Sequence, residues 1–207
     1  MAKYNSTANC TPLVGGNTSV EQCNSNATYD DMVYIMNGNA LTAVTLSDCA
    51  AGNEITAIVD NTVAYPTPVA YTFEAAQKDG IKLTNDSKTD VTAGTTTVEN
   101  ELMLKMVSGV DSAAARCFTK SLQGGGNYVL FTEKCGKLYL ILAEPKCATG
   151  AVSFSGLKAS GKSSEKGQEN NNRMYKFTAP NKEVEEYPLN AATELIVRTW
   201  IAEGLAP

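Results

Sequence analysis

Residues 95–142 read TTTVENELMLKMVSGVDSAAARCFTKSLQGGGNYVLFTEKCGKLYLIL, and their periodicities decide the fold class. Over residues 97–107 the chain alternates. Val98, Leu102, Leu104 and Met106 share one face, and Glu99, Glu101 and Lys105 the other, which is the two-residue period of a half-buried strand. Asp111 or Ser112 then offers an N-cap, and Ala114, Cys117, Phe118 and Leu122 recur at helical spacing. Gly124-Gly125-Gly126 ends that helix, because glycine accepts the left-handed geometry of a C-cap. Two apolar runs, residues 128–131 and 137–142, flank Glu133-Lys134-Cys135-Gly136 and predict a β-hairpin. This order of strand, short helix and hairpin, followed by a polar stretch and one more strand ending at Thr178, belongs to a building block. It holds no residue set that could run a reaction.

Composition bounds what such a building block can be. The chain has 207 residues, 43% of them apolar and 19% charged, with 22 Asp and Glu against 17 Lys and Arg and no histidine. That implies one large β-rich domain, or one domain with an arm, able to bury a core. A net charge of −5 argues against nucleic-acid binding by charge neutralisation, which needs clustered Lys and Arg. It is compatible with a pore through which DNA slides without sticking. The start Met1-Ala2-Lys3-Tyr4-Asn5-Ser6-Thr7 is polar, and no window approaches the ~18–20 apolar residues of a membrane span. Synthesis in a cytoplasm, with no export route and no membrane partner, is the expectation. For Cys10, Cys23, Cys49, Cys117, Cys135 and Cys147 that compartment implies reduced, partly buried thiols. Cys10 and Cys23 are the pair whose loop setting allows a bridge.

Further out, residues 1–29 are rich in Asn, Thr, Ser and Gly and read as an extended N-terminal arm. Residues 32–36 and 41–46 read as strands around Asn37-Gly38-Asn39, a strong hairpin signal. Residues 55–59 and 69–73 predict two more strands, and 73–78 suits a turn of helix. Residues 80–94, which include Asn85, Asp86 and Lys88, read as a long mobile loop between strands. Residues 151–154 form a short strand, 158–172 an exposed low-complexity loop, and 173–178 a strand with Tyr175 and Phe177 facing away from Met174 and Lys176. In the tail, Leu195, Ile196, Thr199 and Trp200 suit one face of a helix, while the β-branched content suits a strand equally. The organisation is then an arm (1–29), a β-domain (30–180) and a C-terminal arm (181–207).

Each candidate chemistry meets a plainer reading. Without histidine, Ser-His-Asp and Cys-His catalysis and histidine metal sites are excluded. No two cysteines stand a C-x-x-C apart, so no zinc site is indicated. Arg116 beside Cys117 is the nearest approach to an activated thiol, but Cys117 lies on the apolar face of its predicted helix. Glu99 and Glu101 point the same way, as a carboxylate dyad or calcium site would require, yet a solvated strand face or pore wall accounts for them better. Gly124-Gly125-Gly126 follows a helix, whereas a phosphate loop precedes one. The aromatics Tyr128, Phe131, Tyr139, Phe154, Tyr175 and Phe177 fall at alternate strand positions and predict a core between sheet layers. No catalytic residue, cofactor or metal is expected.

The order of elements resembles the tail tube (major tail) proteins of long-tailed phages, in the form found in Bacteroidetes and gut phages. The pieces that carry it are Met32-Val33-Tyr34-Ile35-Met36-Asn37, Ile55-Thr56-Ala57-Ile58-Val59, Tyr71-Thr72-Phe73-Glu74, Glu101-Leu102-Met103-Leu104-Lys105-Met106 and the helix over 111–122. Tyr128-Val129-Leu130-Phe131-Thr132-Glu133, Gly136-Lys137-Leu138-Tyr139-Leu140 and Asn172-Arg173-Met174-Tyr175-Lys176-Phe177-Thr178-Ala179 complete the set, which spans residues 30–190. The resemblance implies a mainly β fold, a two-sheet β-sandwich or barrel flanked by one short α-helix. It implies hexameric rings stacked into a DNA-delivery tube in the virion tail. Glu99, Glu101 and Lys105 would face the lumen. Asn85, Asp86 and Lys88 would lie in an inter-ring loop, and Cys10, Cys23 and Trp200 would make arm contacts. Partners would be further copies of the chain and the tail terminator, baseplate and tape-measure proteins, with DNA passing unbound. The alternatives are another virion component (neck, decoration or baseplate) and a non-viral carbohydrate-binding β-sandwich module, for which disulfides would speak.

Overall fold

The computed structural model describes residues 10–12, 21–23, 32–63, 68–74, 80–90, 92–107, 126–143, 149–154, 156–166, 171–179 and 183–204. It is mainly β, 61% strand, with a nearly closed barrel-like sheet, a second sheet and, among the described residues, one α-helix. The two-sheet β architecture expected from the sequence is therefore present. The strands are β1 (Cys10–Pro12), β2 (Glu21–Cys23), β3 (Met32–Asn37), β4 (Leu41–Leu46), β5 (Ile55–Asp60), β6 (Tyr71–Glu74) and β7 (Ile81–Asp90). They continue as β8 (Thr95–Val107), β9 (Asn127–Lys134), β10 (Lys137–Leu142), β11 (Gly150–Ser153), β12 (Leu157–Lys166), β13 (Asn171–Thr178) and β14 (Glu185–Pro188), before helix α1 (Ala191–Gly204).

The large sheet runs β14-β10-β9-β12-β13-β8-β7, with β3 joined to β9 and β6 joined to β3. Strand β9 is its branch point, pairing with β3, β10 and β12. The second sheet is β11-β4-β5, and β1 pairs with β2 alone. Burial explains the two strands with unbroken apolar runs. In β3, Val33 and Ile35 face one core while Tyr34 and Met36 face another, and in β9 Tyr128 and Leu130 likewise oppose Val129 and Phe131. A strand covered on both faces has no need to alternate. The inner core collects Leu102, Leu104, Leu157, Tyr175 and Phe177. The outer core lies between the sheets and takes Val44, Leu46, Ile55, Leu138 and Leu140 together with Val197, Trp200 and Ile201 of α1. The predicted aromatic core is thus divided. Phe131 and half-buried Phe154 belong to the outer core, Tyr128, Tyr175 and Phe177 to the inner, and Tyr139 lies half-buried under the Lys134 ammonium, 5.3 Å from its ring centre.

The β9–β10 hairpin forms as predicted. Cys135 and Gly136 at its turn have φ of 53° and 74°, the left-handed pair that a two-residue hairpin needs. The tail, ambiguous from its sequence, is a helix. Asn190 caps it by accepting the Thr193 N–H at 2.9 Å, and its buried face is Thr193, Val197, Trp200 and Ile201, leaving Leu195 and Ile196 exposed.

Three expectations are corrected. Asn37-Gly38-Asn39 makes no hairpin: β3 goes to the large sheet and β4 to the small one. The Asn37 side chain accepts the Asn39 N–H at 2.9 Å and starts a 3-10 turn over Gly38–Ala40 that carries the chain between sheets. Residues 80–94 are not a loop, since β7 pairs with β8 from Ile81↔Leu104 to Asp90↔Thr95. Residues 158–172 contain most of the β12–β13 hairpin, with a bulge at Ala159/Gly161. Both stretches lack apolar alternation because ladder hydrogen bonds to a neighbour, not burial, hold them. The helix expected over 111–122 and the helical turn over 73–78 lie largely or wholly outside the described residues, as does most of the N-terminal arm.

Candidate functional site

Of the residues singled out in the sequence for the lumen and for the inter-ring loop, Glu99, Glu101, Lys105, Asp86 and Lys88 share one surface, and Asn85 does not. On β8, Glu99, Glu101 and Lys105 lie on the outer face, as the alternation predicted, while Asn100, Leu102 and Leu104 are buried on the inner one. The β7 residues opposite are Thr84 for Glu101, Asp86 for Glu99 and Thr97's partner Lys88. The Lys88 ammonium donates to the Glu99 carboxylate at 2.6 Å, and Lys176 of β13 to Glu101 at 2.9 Å. The hydrogen bond from Lys88 to Glu99, helped by the carboxylate's charge, raises the Lys88 pKa above 10.5. The result is a charged ladder of mixed sign across three strands.

Asn85 faces the other way. Its side chain donates to Val184 O at 2.9 Å and accepts from Val184 N at 3.0 Å. Its cross-strand neighbour Asn100 does the same with Ala179, accepting the Ala179 N–H at 2.8 Å and donating to its carbonyl. Each amide mimics a backbone ladder unit, so the pair holds Ala179 and Val184 against the inner end of the β7–β8 ribbon. Sequence reading passed over Asn100. The signal was a polar residue interrupting the apolar face of Val98, Leu102 and Leu104.

Beyond this clamp the core ends. Asp86, Ser87, Lys88, Asp90, Thr95, Thr96, Thr97 and Glu99 are all exposed and Val98 is half-buried. Five residue pairs therefore extend as a two-stranded ribbon for about 17 Å, and β7 stands at the end of the sheet order.

At the opposite side of the β9–β10 hairpin, polar ties lock α1 to the turn. Arg198 donates to Glu133 at 3.0 Å, to Glu194 at 2.6 Å and to Gly136 O at 2.6 Å. Tyr34 adds a 2.6 Å bond to Glu133. Partial burial opposes the Arg198 charge, but the bonds to Glu194 and Glu133 outweigh it and raise its pKa. Glu186 takes Thr132 and Lys134, and Glu54 takes Lys137 at 3.2 Å. Trp200, expected at an arm contact, is buried in the outer core. Cys10 and Cys23 stand directly opposite each other in the β1–β2 register. Cys49 and Cys135 are each disulfide-bonded, which corrects the expectation of reduced thiols. The compartment argument concerned redox poise and was blind to which cysteines the fold brings together.

Among the described residues no group of three His, Cys, Asp or Glu side chains is placed to hold a metal, and no helix is long and apolar enough to cross a membrane. No known protein family, curated protein or solved structure matches the chain.

Proposed function

We propose that this chain is a structural subunit that polymerises through its own copies, of the phage tail-tube kind, assembling as stacked hexameric rings around a DNA channel in a virion tail. The observation that carries the reading is the β7–β8 ribbon. A two-stranded ribbon exposed on both faces is marginal in water by itself, and the edge of β7, which pairs with no further strand among the described residues, is a template for another chain. Closure through neighbouring copies removes both liabilities. The charged ladder of Glu99, Glu101, Lys105, Lys88 and Lys176 would then give a wetted wall of mixed sign, past which DNA moves without being held. Tail terminator, baseplate and tape-measure proteins are the further partners that this reading implies.

The test is negative-stain electron microscopy of the concentrated chain beside its sedimentation profile. Hollow tubes or stacked rings are expected, and a stable monomer at all concentrations would overturn the reading. A second reading, a carbohydrate-binding β-sandwich module, is favoured by one observation: Cys49 and Cys135 are oxidised, as in domains that work outside a reducing cytoplasm.

A further inference from the structure

Where β3 ends and β9 and β12 begin, the large sheet has an open cleft of about 300 Å³, lined by Asn37, Asn39, Gly126, Asn127 and Tyr128. The register brings these residues together, since Tyr128 pairs with Asn37 on one side and with Leu157 on the other. Its floor is rigid. A Cβ at Gly38 would sit 2.6 Å from the Asn127 carbonyl carbon and oxygen, so the 3-10 turn and the start of β9 touch backbone to backbone. Tyr128 is held edge-on against Phe177, with ring centres 6.0 Å apart. Asn37 is oriented by the Asn39 N–H on its Oδ1, which leaves its amide nitrogen as the group to offer, and Asn61 fixes the Asn39 carbonyl at 3.2 Å. Asn37, Asn39 and Asn127 are exposed.

We infer that this cleft binds a neutral saccharide unit. Asn37, Asn39 and Asn127 line it, and an amide side chain carries both donors and an acceptor, the groups that match the hydroxyls of a sugar ring. Among the described residues that line the cleft none is a carboxylate, ammonium or guanidinium, so none of them would compensate the charge of a phosphate or a carboxylated ligand. Tyr128, 9% exposed, completes the lining. The volume is at the small end of the range for ligand sites, about 300–1,000 Å³, which suits one or two sugar rings. The inference deepens the binding-module reading but does not require a monomer.

The experiment is saturation-transfer NMR on the full chain with N-acetylglucosamine, galactose, lactose and maltose, and with galacturonic acid as the charged control. The technique reads both free and polymerised protein. Saturable transfer from at least one neutral sugar is expected, weakened at least tenfold by Asn127→Ala and by Asn37→Ala, with little transfer to galacturonic acid. Absence of saturable transfer from every neutral sugar, equal binding of the acid, or binding untouched by both variants would overturn the assignment. Asn127→Ala removes no protein hydrogen bond, so its melting temperature separates a lost site from a lost fold. Tubes that bind sugar through these asparagines would retain the cleft while removing the binding-module reading. A monomer that binds no sugar would remove the cleft and the tube together.

Discussion

Asn100 is the residue on which the ribbon's anchorage turns. It is 7% exposed, and its side chain bonds both the N–H and the carbonyl of Ala179. Asn100→Leu would fill the space but leave a buried N–H and C=O unpaired, at a cost of about 2–3 kcal/mol. Urea denaturation followed by tyrosine and tryptophan fluorescence reads this directly, and a loss under 0.5 kcal/mol would show that the amide pairing is dispensable. Gly38 makes the complementary case for space. With the Asn127 backbone 2.6 Å from any added Cβ, Gly38→Ala forces the 3-10 turn away from β9, and overpacking of this kind costs about 1–3 kcal/mol. The sequence marked Gly38 as part of a hairpin, and the chain makes a 3-10 turn there instead. Its reason there, close approach to a residue 89 positions away, is not written locally.

At the scale of elements, α1 and the ribbon behave differently. Arg198 ties α1 to the β9–β10 turn through a planar fork that reaches Glu194, Glu133 and Gly136 O at once. Arg198→Ala should destabilise by about 1–2 kcal/mol, discounted for a side chain 39% exposed. Arg198→Lys should recover little of it, since an ammonium cannot make the same set of contacts. The ribbon instead depends on pairing. Because Glu99 raises the Lys88 pKa, the order contributed by this pair is complete below the ordinary lysine value of 10.5 and is lost as pH climbs through the raised one. Lys88→Met should speed amide exchange at the ribbon tip near neutral pH while leaving the global unfolding midpoint unchanged. High salt should do the same to the parent chain. Unaltered exchange in both would mean that the ladder alone orders the tip.

For the whole molecule, the decisive comparison is between folding and assembly. Replacing residues 87–98 by Asn-Gly closes β7 onto β8 at Asp86 and Glu99 with a two-residue turn. The buried residues of both cores lie outside the deleted stretch. The melting temperature should stay within a few degrees of the parent's while tube formation is abolished. Tubes of normal appearance from this variant would remove the ribbon from the interface. Reduction of the disulfides at Cys49 and Cys135 should act the other way, lowering stability by about 2–4 kcal/mol whether or not the chain polymerises. Equal melting temperatures with and without reductant would show that the bridges carry no stability.

The sequence by itself determined what is written in neighbours: the alternation of β8, the Cys135-Gly136 turn, the apolar runs of β3 and β9, and the mainly β class. Those follow from the two-residue period of an extended chain and from the few residues that accept positive φ. Tertiary structure alone decided that β3 and β4 serve different sheets and that the polar stretches 81–90 and 157–166 are strands. It alone buried Trp200 with Val197 rather than with Leu195, and it alone oxidised Cys49 and Cys135. The physical reason is common to all four. A ladder hydrogen bond, a buried face or a disulfide is completed by a partner far along the chain, and local periodicity carries no record of which partner that is.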